Sequence, residues 1–253
     1  MPKDDAREVI APWFRLGYVI PHLSTDMDAY QFYRVAPKGV MLVSTQMNLA
    51  EYSAEAAEGE LDSFWRGVEV LASRRVDLIS LSGVPIASVF GRQRTLELLD
   101  DVTDRTGIRA TTDLEAHIAA LKALGAQQVA IATRWPETLT RALVAYLAEA
   151  GVHTLATKAI GRDLSQNKQA DPMADHRLAL DLGREALGEA PDAHALILPG
   201  GLWFAIHAVP ILEQETGVPV TLNITATLWD ALRTADNLPR RPGPGWGRLL
   251  ASL

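Results

Sequence analysis

Short apolar runs alternate along this chain with longer stretches of helical period. The runs are LGYVI (16–20), GVMLVST (39–45), VDLISLS (76–82), VAIAT (129–133), HALILP (194–199) and VPVTLN (218–223). Between them the spacing of apolar residues predicts helices over Leu61–Ser73, Arg92–Arg105, Asp113–Leu124, Pro136–Ala150, Ala174–Leu187 and Trp203–Glu215. Strands that alternate with helices pair in parallel, because each return crossing is made by a helix packed on a sheet face. The chain is therefore expected to be α/β, with ligands bound beyond the carboxyl ends of the strands.

A weak internal repeat refines this. VDLISLSGVPIASVFG is followed by TGIRATTDLEAHIAAL (106–121), and AHALILPGGLWFAIHAVP by TGVPVTLNITATLWDAL (216–232). Both units run strand, glycine, helix, Thr-Gly, second strand, polar turn, helix. One duplication at a spacing of roughly 110 residues suits two related lobes with a cleft between them, and is too long for a solenoid. Shared composition among α/β units is the other source of such a pattern.

Composition narrows the functions. With 253 residues, 48% of them hydrophobic, the chain can bury a large core. The net charge is −7, and the densest basic clusters, Arg92/Arg94 and Arg240/Arg241, are short. That argues against nucleic-acid binding. The opening MPKDDAREVIAPWF has no apolar core of a secretory signal, and no apolar run approaches the ~20 residues of a membrane span. There is no cysteine, which removes disulfides, thiolate metal sites and thiol nucleophiles, and fits a cytoplasmic protein. The six histidines show no metal-ligand spacing, so no metal is expected. The Pro- and Gly-rich tail NLPRRPGPGWGRLLASL is expected to wrap the surface after the last helix.

Three strand ends carry the candidate chemistry. VIPHLSTDMD delivers His22, Ser24, Thr25 and Asp26 just past a strand that stops at Pro21. LSGVPIAS places Ser82, Gly83, Val84 and Pro85 after a second strand, and LILPGGLWF places Gly200 and Gly201 after a third. Glycines at strand-to-helix turns let backbone N–H groups approach an anion, although most such glycines serve only the turn. The glycines match neither a P-loop nor a dinucleotide fingerprint. His22 is the candidate proton carrier, with Asp26 as the other titratable group. Trp135 follows the strand VAIAT and should wall the cleft. The hydroxyls of TTD (111–113) and NIT (223–225) could donate to an anion or serve as ordinary helix caps, a character that Asp113 and Thr225 have, whereas His117 and His207 read as structural residues within helices.

On IPHLSTDMDAYQFYRVAPKGV, SLSGVPIASVFG, GIRATTDLEAHIAALKALGAQQVAIATRW, LILPGGLWFAIHAVP and RPGPGWGRLL, the chain resembles the aspartate/glutamate racemase superfamily, in its maleate isomerase and arylmalonate decarboxylase branch. The resemblance runs through most of the chain. It implies two pseudo-symmetric flavodoxin-like lobes around a small cleft, with lobe one expected over 1–112 and 224–253 and lobe two over 113–223. It also implies a small carboxylate substrate and no cofactor. Members usually carry a cysteine at one or both turns; here Gly83 and Gly200 stand there. Val84 and Pro85 replace a Thr-Ser pair, Trp135 stands for a tyrosine, and Ser24 for an asparagine of the first loop.

Three functions are compatible with these residues. The first is a cysteine-independent enzyme acting on a small carboxylate by decarboxylation, isomerisation, hydration or hydrolysis. Its oxyanion hole would come from Gly200 and Gly201, and its proton carrier would be His22 or Asp26; racemisation by two opposed thiols is excluded. The second is an inactive, anion-binding accessory relative. The third is a site turned to a neutral, more apolar substrate. A homodimer is compatible with apolar helices on the lobe surfaces, and no membrane or nucleic-acid partner is expected.

Overall fold

The computed structural model describes residues 14–235, 242 and 245–253. The opening segment up to residue 13 and the Arg240/Arg241 pair, both interpreted above, lie outside the described residues. Eight strands form two four-stranded sheets among the described residues. The first sheet holds β1 (Phe14–Ile20), β2 (Val40–Gln46), β3 (Leu78–Leu81) and β4 (Ala110–Thr112). The second holds β5 (Gln128–Thr133), β6 (His153–Ala159), β7 (Ala195–Leu198) and β8 (Val220–Leu222). The order is β2-β1-β3-β4 in one and β6-β5-β7-β8 in the other, and every pairing is parallel. Each sheet thus repeats the same 2-1-3-4 order, the start of the flavodoxin-like winding, and each is flanked by helices.

Twelve helices connect the strands among the described residues. In the first half they are α1 (Asp26–Val35), α2 (Ala54–Gly59), α3 (Leu61–Ser73), α4 (Val84–Phe90), α5 (Arg92–Thr106) and α6 (Asp113–Ala123). In the second they are α7 (Glu137–Glu149), α8 (Leu164–Gln169), α9 (Pro172–Glu189), α10 (Ala208–Thr216), α11 (Asn223–Leu232) and α12 (Arg248–Ala251). One buried cluster joins Leu16, Tyr18 and Ile20 of β1 to Ala130 and Ala132 of β5 and Leu196 and Leu198 of β7. The apolar runs therefore build a core shared by both sheets, and its burial is the main favourable term for the fold.

Three expectations are corrected. The helix expected over Trp203–Glu215 begins only at Ala208, with His207 at its N-cap position. Pro210 accounts for this. In the first turn a proline loses no helix bond, but in a helix running from 203 it would clash with the carbonyl four residues back. Residues 201–207 instead form an irregular loop, with the Ile206 amide donating to Gln31 Oε1 at 3.1 Å. β6, HTLATKA, has no place among the apolar runs, because it is an edge strand whose residues alternate exposed and half-buried. The cap of α6 is Thr112, which accepts from the Glu115 amide at 3.0 Å; Thr225 sits inside the first turn of α11, accepting from the Leu222 amide. The end of the tail packs on the last long helix: Leu249 and Leu250 are buried, and Trp229 Nε1 donates to Ser252 Oγ.

Candidate active site

The carboxyl ends of the four central strands converge on one small cavity of about 30 Å³. Pro21 and His22 follow β1, Ser82 and Gly83 follow β3, Arg134 and Trp135 follow β5, and Gly200 and Gly201 follow β7. A space of that size holds little more than a water molecule. Over it lie Leu49 and Tyr52 from the loop after β2, together with Leu164 of α8. Lys168 Nζ donates to Leu49 O at 3.0 Å, and Asn167 Nδ2 to Tyr52 Oη at 3.4 Å, so the two covering segments touch across the mouth.

Each glycine turn is tied down from behind by the first residue of a helix. Gly83 adopts φ +98° and donates its amide to Asp113 Oδ2 at 2.9 Å. Gly200 adopts φ +112° and donates to Asn223 Oδ1 at 3.0 Å. Asp113 begins α6 and Asn223 begins α11, so the two arrangements repeat each other. Asn223 Nδ2 donates to Asp113 Oδ2 at 2.9 Å and joins them. Asp113 accepts in addition from Tyr18 Oη, Ser82 Oγ and Thr227 Oγ1, making five donors on one fully buried carboxylate. Burial, then the charge of Asp113, holds the Tyr18 phenol well above its usual range.

The tautomer of His117 follows from the same network. Asn223 spends its Nδ2 on Asp113, so its Oδ1 is an acceptor and His117 Nε2 donates to it at 3.1 Å. His117 Nδ1 then accepts from Thr221 Oγ1 at 2.9 Å. Burial depresses the pKa of this neutral ring. His117 is structural, as is His207, whose Nε2 meets Tyr30 Oη at 3.0 Å.

Of the residues singled out from sequence, His22, Ser82, Gly83, Pro85, Trp135, Gly200 and Gly201 border the cavity. Val84 is fully buried behind it. Ser24, Thr25 and Asp26 are not brought to the lining: Ser24 and Asp26 are exposed, and Thr25 is the partly exposed residue before α1. The amides of Gly83 and Gly200 are already committed to Asp113 and Asn223. Among the described residues the Gly201 amide has no intramolecular partner, which leaves it as a free backbone donor at this turn.

Asp28, Arg134, Trp203 and Tyr52, outside that set, also stand at or beside the cavity. Asp28 of α1 is buried with its Oδ2 unpaired, 3.8 Å from His22 Nε2, and its carboxylate presses against Gly201. Arg134, 2% exposed, pairs with Asp175 Oδ2 at 2.5 Å, and its guanidinium lies 5.0 Å from the Trp203 ring. Arg162 holds the other oxygen of Asp175 at 2.7 Å, so two cations share one carboxylate and leave positive charge beside the cavity. Trp203 Nε1 is buried without a partner and lies 3.7 Å from where a Cβ on Gly200 would stand. Tyr52 meets Trp135 edge to face at 6.3 Å. Burial is the first cause of the His22 shift, which takes its pKa down to about 4. Burial, followed by the fields of Asp113 and Asp26, pushes Asp28 up to about 8.

The profile of the family described as arylmalonate decarboxylase matches residues 16–250. The chain belongs to the arylmalonate decarboxylase family. It is 26% identical over 236 residues to the arylmalonate decarboxylase of Bordetella bronchiseptica, covering 92% of this chain and 95% of that one. It is similar in structure to a liganded arylmalonate decarboxylase carrying one glycine-to-cysteine and one cysteine-to-serine substitution, with a TM-score of 0.83 and 25% identity. That match covers 95% of this chain and 100% of the other. A cysteine-to-serine variant of the Nocardia farcinica maleate cis-trans isomerase, which holds a covalent succinylcysteine intermediate, matches with a TM-score of 0.80 at 25% identity, over 95% and 99% of the two chains. The arylmalonate decarboxylase family, with its maleate isomerase relatives, belongs to the aspartate/glutamate racemase superfamily, whose isomerase- and lyase-type branch acts on carboxylates. This member has no cysteine. Among the described residues no cluster of three or more His, Asp or Glu could hold a metal ion, and no helix is long and apolar enough to cross a membrane.

Proposed function

We propose that this chain is a cofactor-independent decarboxylase of a small malonate-type diacid. The observation that carries the reading is the company His22 keeps: one titratable ring, an unbonded Gly201 amide and a buried Arg134 cation around a single cavity, in a chain without a thiol. Malonate-type decarboxylation asks for little else. The bond to the departing carboxylate breaks, and its electron pair moves into the remaining carboxylate as an enediolate. A proton from His22 then forms the new C–H bond, and the ring recovers one from solvent. Isomerisation through a cysteine adduct, as in the Nocardia relative, has no nucleophile here.

The residues divide the work. Positive charge at Arg134 favours one carboxylate of the substrate, and the apolar cover of Leu49, Tyr52, Leu164 and Trp135 favours conversion of the other into neutral carbon dioxide, its charge passing to the enediolate. Gly201 N–H is the donor for an enediolate oxygen; one preorganised donor is worth ~2.7–4 kcal/mol at a transition state. On this reading Gly83 and Gly200 shape the turns, and Ser82, Val84 and Pro85 support the first of them. Ser24 and Thr25 serve the loop that carries His22. Asp26 acts through its charge on His22 and Asp28, without touching substrate.

The size of the cavity favours a second reading, an anion-binding relative without turnover. Proton NMR of the purified chain in deuterated water, with arylmalonates, maleate and alkylmalonates as the panel, separates the two. Conversion of a malonate with deuterium at the new C–H bond is the expected result. Line broadening without conversion establishes the second reading. His22→Ala is expected to lower kcat by about 10²–10⁴-fold, the range of a lost general acid; unchanged turnover removes His22 from the reaction.

A further inference from the structure

The chain has no thiol to carry a proton, and one imidazole does not supply one unaided. In a dry pocket a protonated ring is costly, because burial penalises the charged form. A neutral ring can still deliver a proton if its second nitrogen is reloaded as the first one gives. Such a delivery needs a proton donor behind the ring, buried and not occupied by other partners.

Asp28 stands there. His22 and Asp28 are 6% and 3% exposed, and Nε2 lies 3.8 Å from Oδ2. Oδ2 has no hydrogen-bond partner, and neither does His22 Nδ1 at bonding distance, on a ring that borders the cavity and whose nearest backbone influence is Ser24. Gly201 places no side chain between the carboxyl group and the glycine turn, and a Cβ there would collide with Asp28. No arginine or lysine is paired with Asp28 among the described residues, so the group is not held as an ion pair. The charged neighbours are few. Lys168 and Asp26 act on His22, and Asp113 and Asp26 on Asp28, with the buried Tyr18 phenol also in the field of Asp28. Both groups acting on the Asp28 carboxyl, Asp113 and Asp26, carry carboxylates, so the surroundings oppose a second buried anion.

We infer that His22 and Asp28 form a proton relay holding one proton on Asp28 at rest, which Asp28 passes to His22 Nε2 as His22 Nδ1 delivers its own to the substrate carbon. The step balances: the carbon gains one proton, Asp28 becomes a carboxylate, and the ring exchanges tautomers without becoming a cation. Solvent returns one proton to Asp28 per turnover, through the ring. The separation of 3.8 Å is longer than a hydrogen bond and shortens for transfer, as catalytic contacts do once substrate closes the site. Asp28 is thus a residue that works through His22 and does not touch the substrate. The relay rests on the proposed decarboxylation for its purpose, but its resting proton is observable without any substrate.

The first measurement is a carboxyl-carbon and imidazole-nitrogen NMR titration of the whole chain, with labelled aspartate and histidine. The expected result is one aspartate that stays protonated between about pH 4 and about pH 8, and a His22 ring that stays neutral over the same range. Asp28→Asn assigns the carboxyl signal, and the infrared band of a protonated acid in the wild-type chain reports it if that variant does not fold. Ionisation of every aspartate across that range, or an imidazolium at His22, overturns the relay. With a malonate that turns over, Asp28→Asn is expected to keep KM, lower kcat at least tenfold and abolish the fall in rate above about pH 8. A variant that raises KM while the pH profile stays unchanged makes Asp28 structural and overturns the inference. Signals as expected with no reactive acid refute the decarboxylase reading and leave the shared proton standing.

Discussion

Gly201 lacks a side chain because the Asp28 carboxyl group fills the space where one would begin. Gly201→Ala is therefore expected to cost about 1–3 kcal/mol through overpacking, measured by urea denaturation. Asp28 also gives the molecule a pH signature. Its folded pKa, about 8, lies above its ordinary value of 3.8, so its contribution is fully present below that ordinary value and is lost as pH rises through about 8. His22 works in the opposite direction. Its folded pKa of about 4 lies below the ordinary 6.5, so its contribution is present above 6.5 and lost as pH falls through about 4. The melting temperature of Asp28→Asn relative to wild type is expected to climb as pH rises from about 4 to about 8 and then level off, in parallel thermal scans. This residue was missed from sequence, and helical phase is the signal that could have found it. Asp28, Phe32 and Val35 fall on one face of α1 at spacings of four and three, and Asp26 falls off it, yet the strand-end reading favoured Asp26. Arg134 carried no such signal, since its partner Asp175 lies 41 residues on in a helix whose packing no local pattern announces.

α6 and α11 each begin with the residue that holds a glycine turn, and each supplies, one turn later, a partner for the other. His117 of α6 meets Asn223, and Thr227 of α11 meets Asp113. Asp113→Ala would strand several buried donors at once, each costing about 1–3 kcal/mol, and is expected to destabilise by more than about 3 kcal/mol in denaturant titration. The Asp-to-Asn change between the two units is physically sensible: two buried carboxylates so close would repel, whereas an amide supplies both the acceptor for Gly200 and a donor for Asp113. Helices with strong apolar period and clear ends were legible, and Leu61–Ser73 is read to the residue. The loop over 201–207 was not, because its burial of Trp203 and Ile206 mimics a helical face while Gln31, far away in sequence, takes its amide. Both glycines sit at positive φ, so returning a side chain to either is expected to cost about 1–2 kcal/mol of backbone strain before any packing effect. Gly83→Cys would also drive its Cβ to 2.9 Å from Pro21.

At the scale of the whole molecule, alternation of apolar runs and helical stretches was enough to give parallel pairing, and the internal repeat with the family resemblance gave the division into two units. The cavity at the ends of the four central strands was likewise legible, as the place where the winding leaves a crevice. What the chain could not announce is how firmly the two sheets are joined. Tyr18, Ser82 and Gly83 reach Asp113 from the first sheet's strands and turns, and Asn223 and Thr227 reach it from α11. Unfolding is therefore expected to be a single calorimetric transition, with calorimetric and van't Hoff enthalpies equal. Two separate transitions would contradict that coupling. The same fastening decides how traffic enters. With its floor riveted through Asp113 and Asn223, the crevice resists gaping like a clam shell, and a diacid is expected to enter past Leu49, Tyr52 and Leu164 instead. Two polar contacts tie that cover, Lys168 to Leu49 and Asn167 to Tyr52, and admission is expected to part these and not to swing the halves.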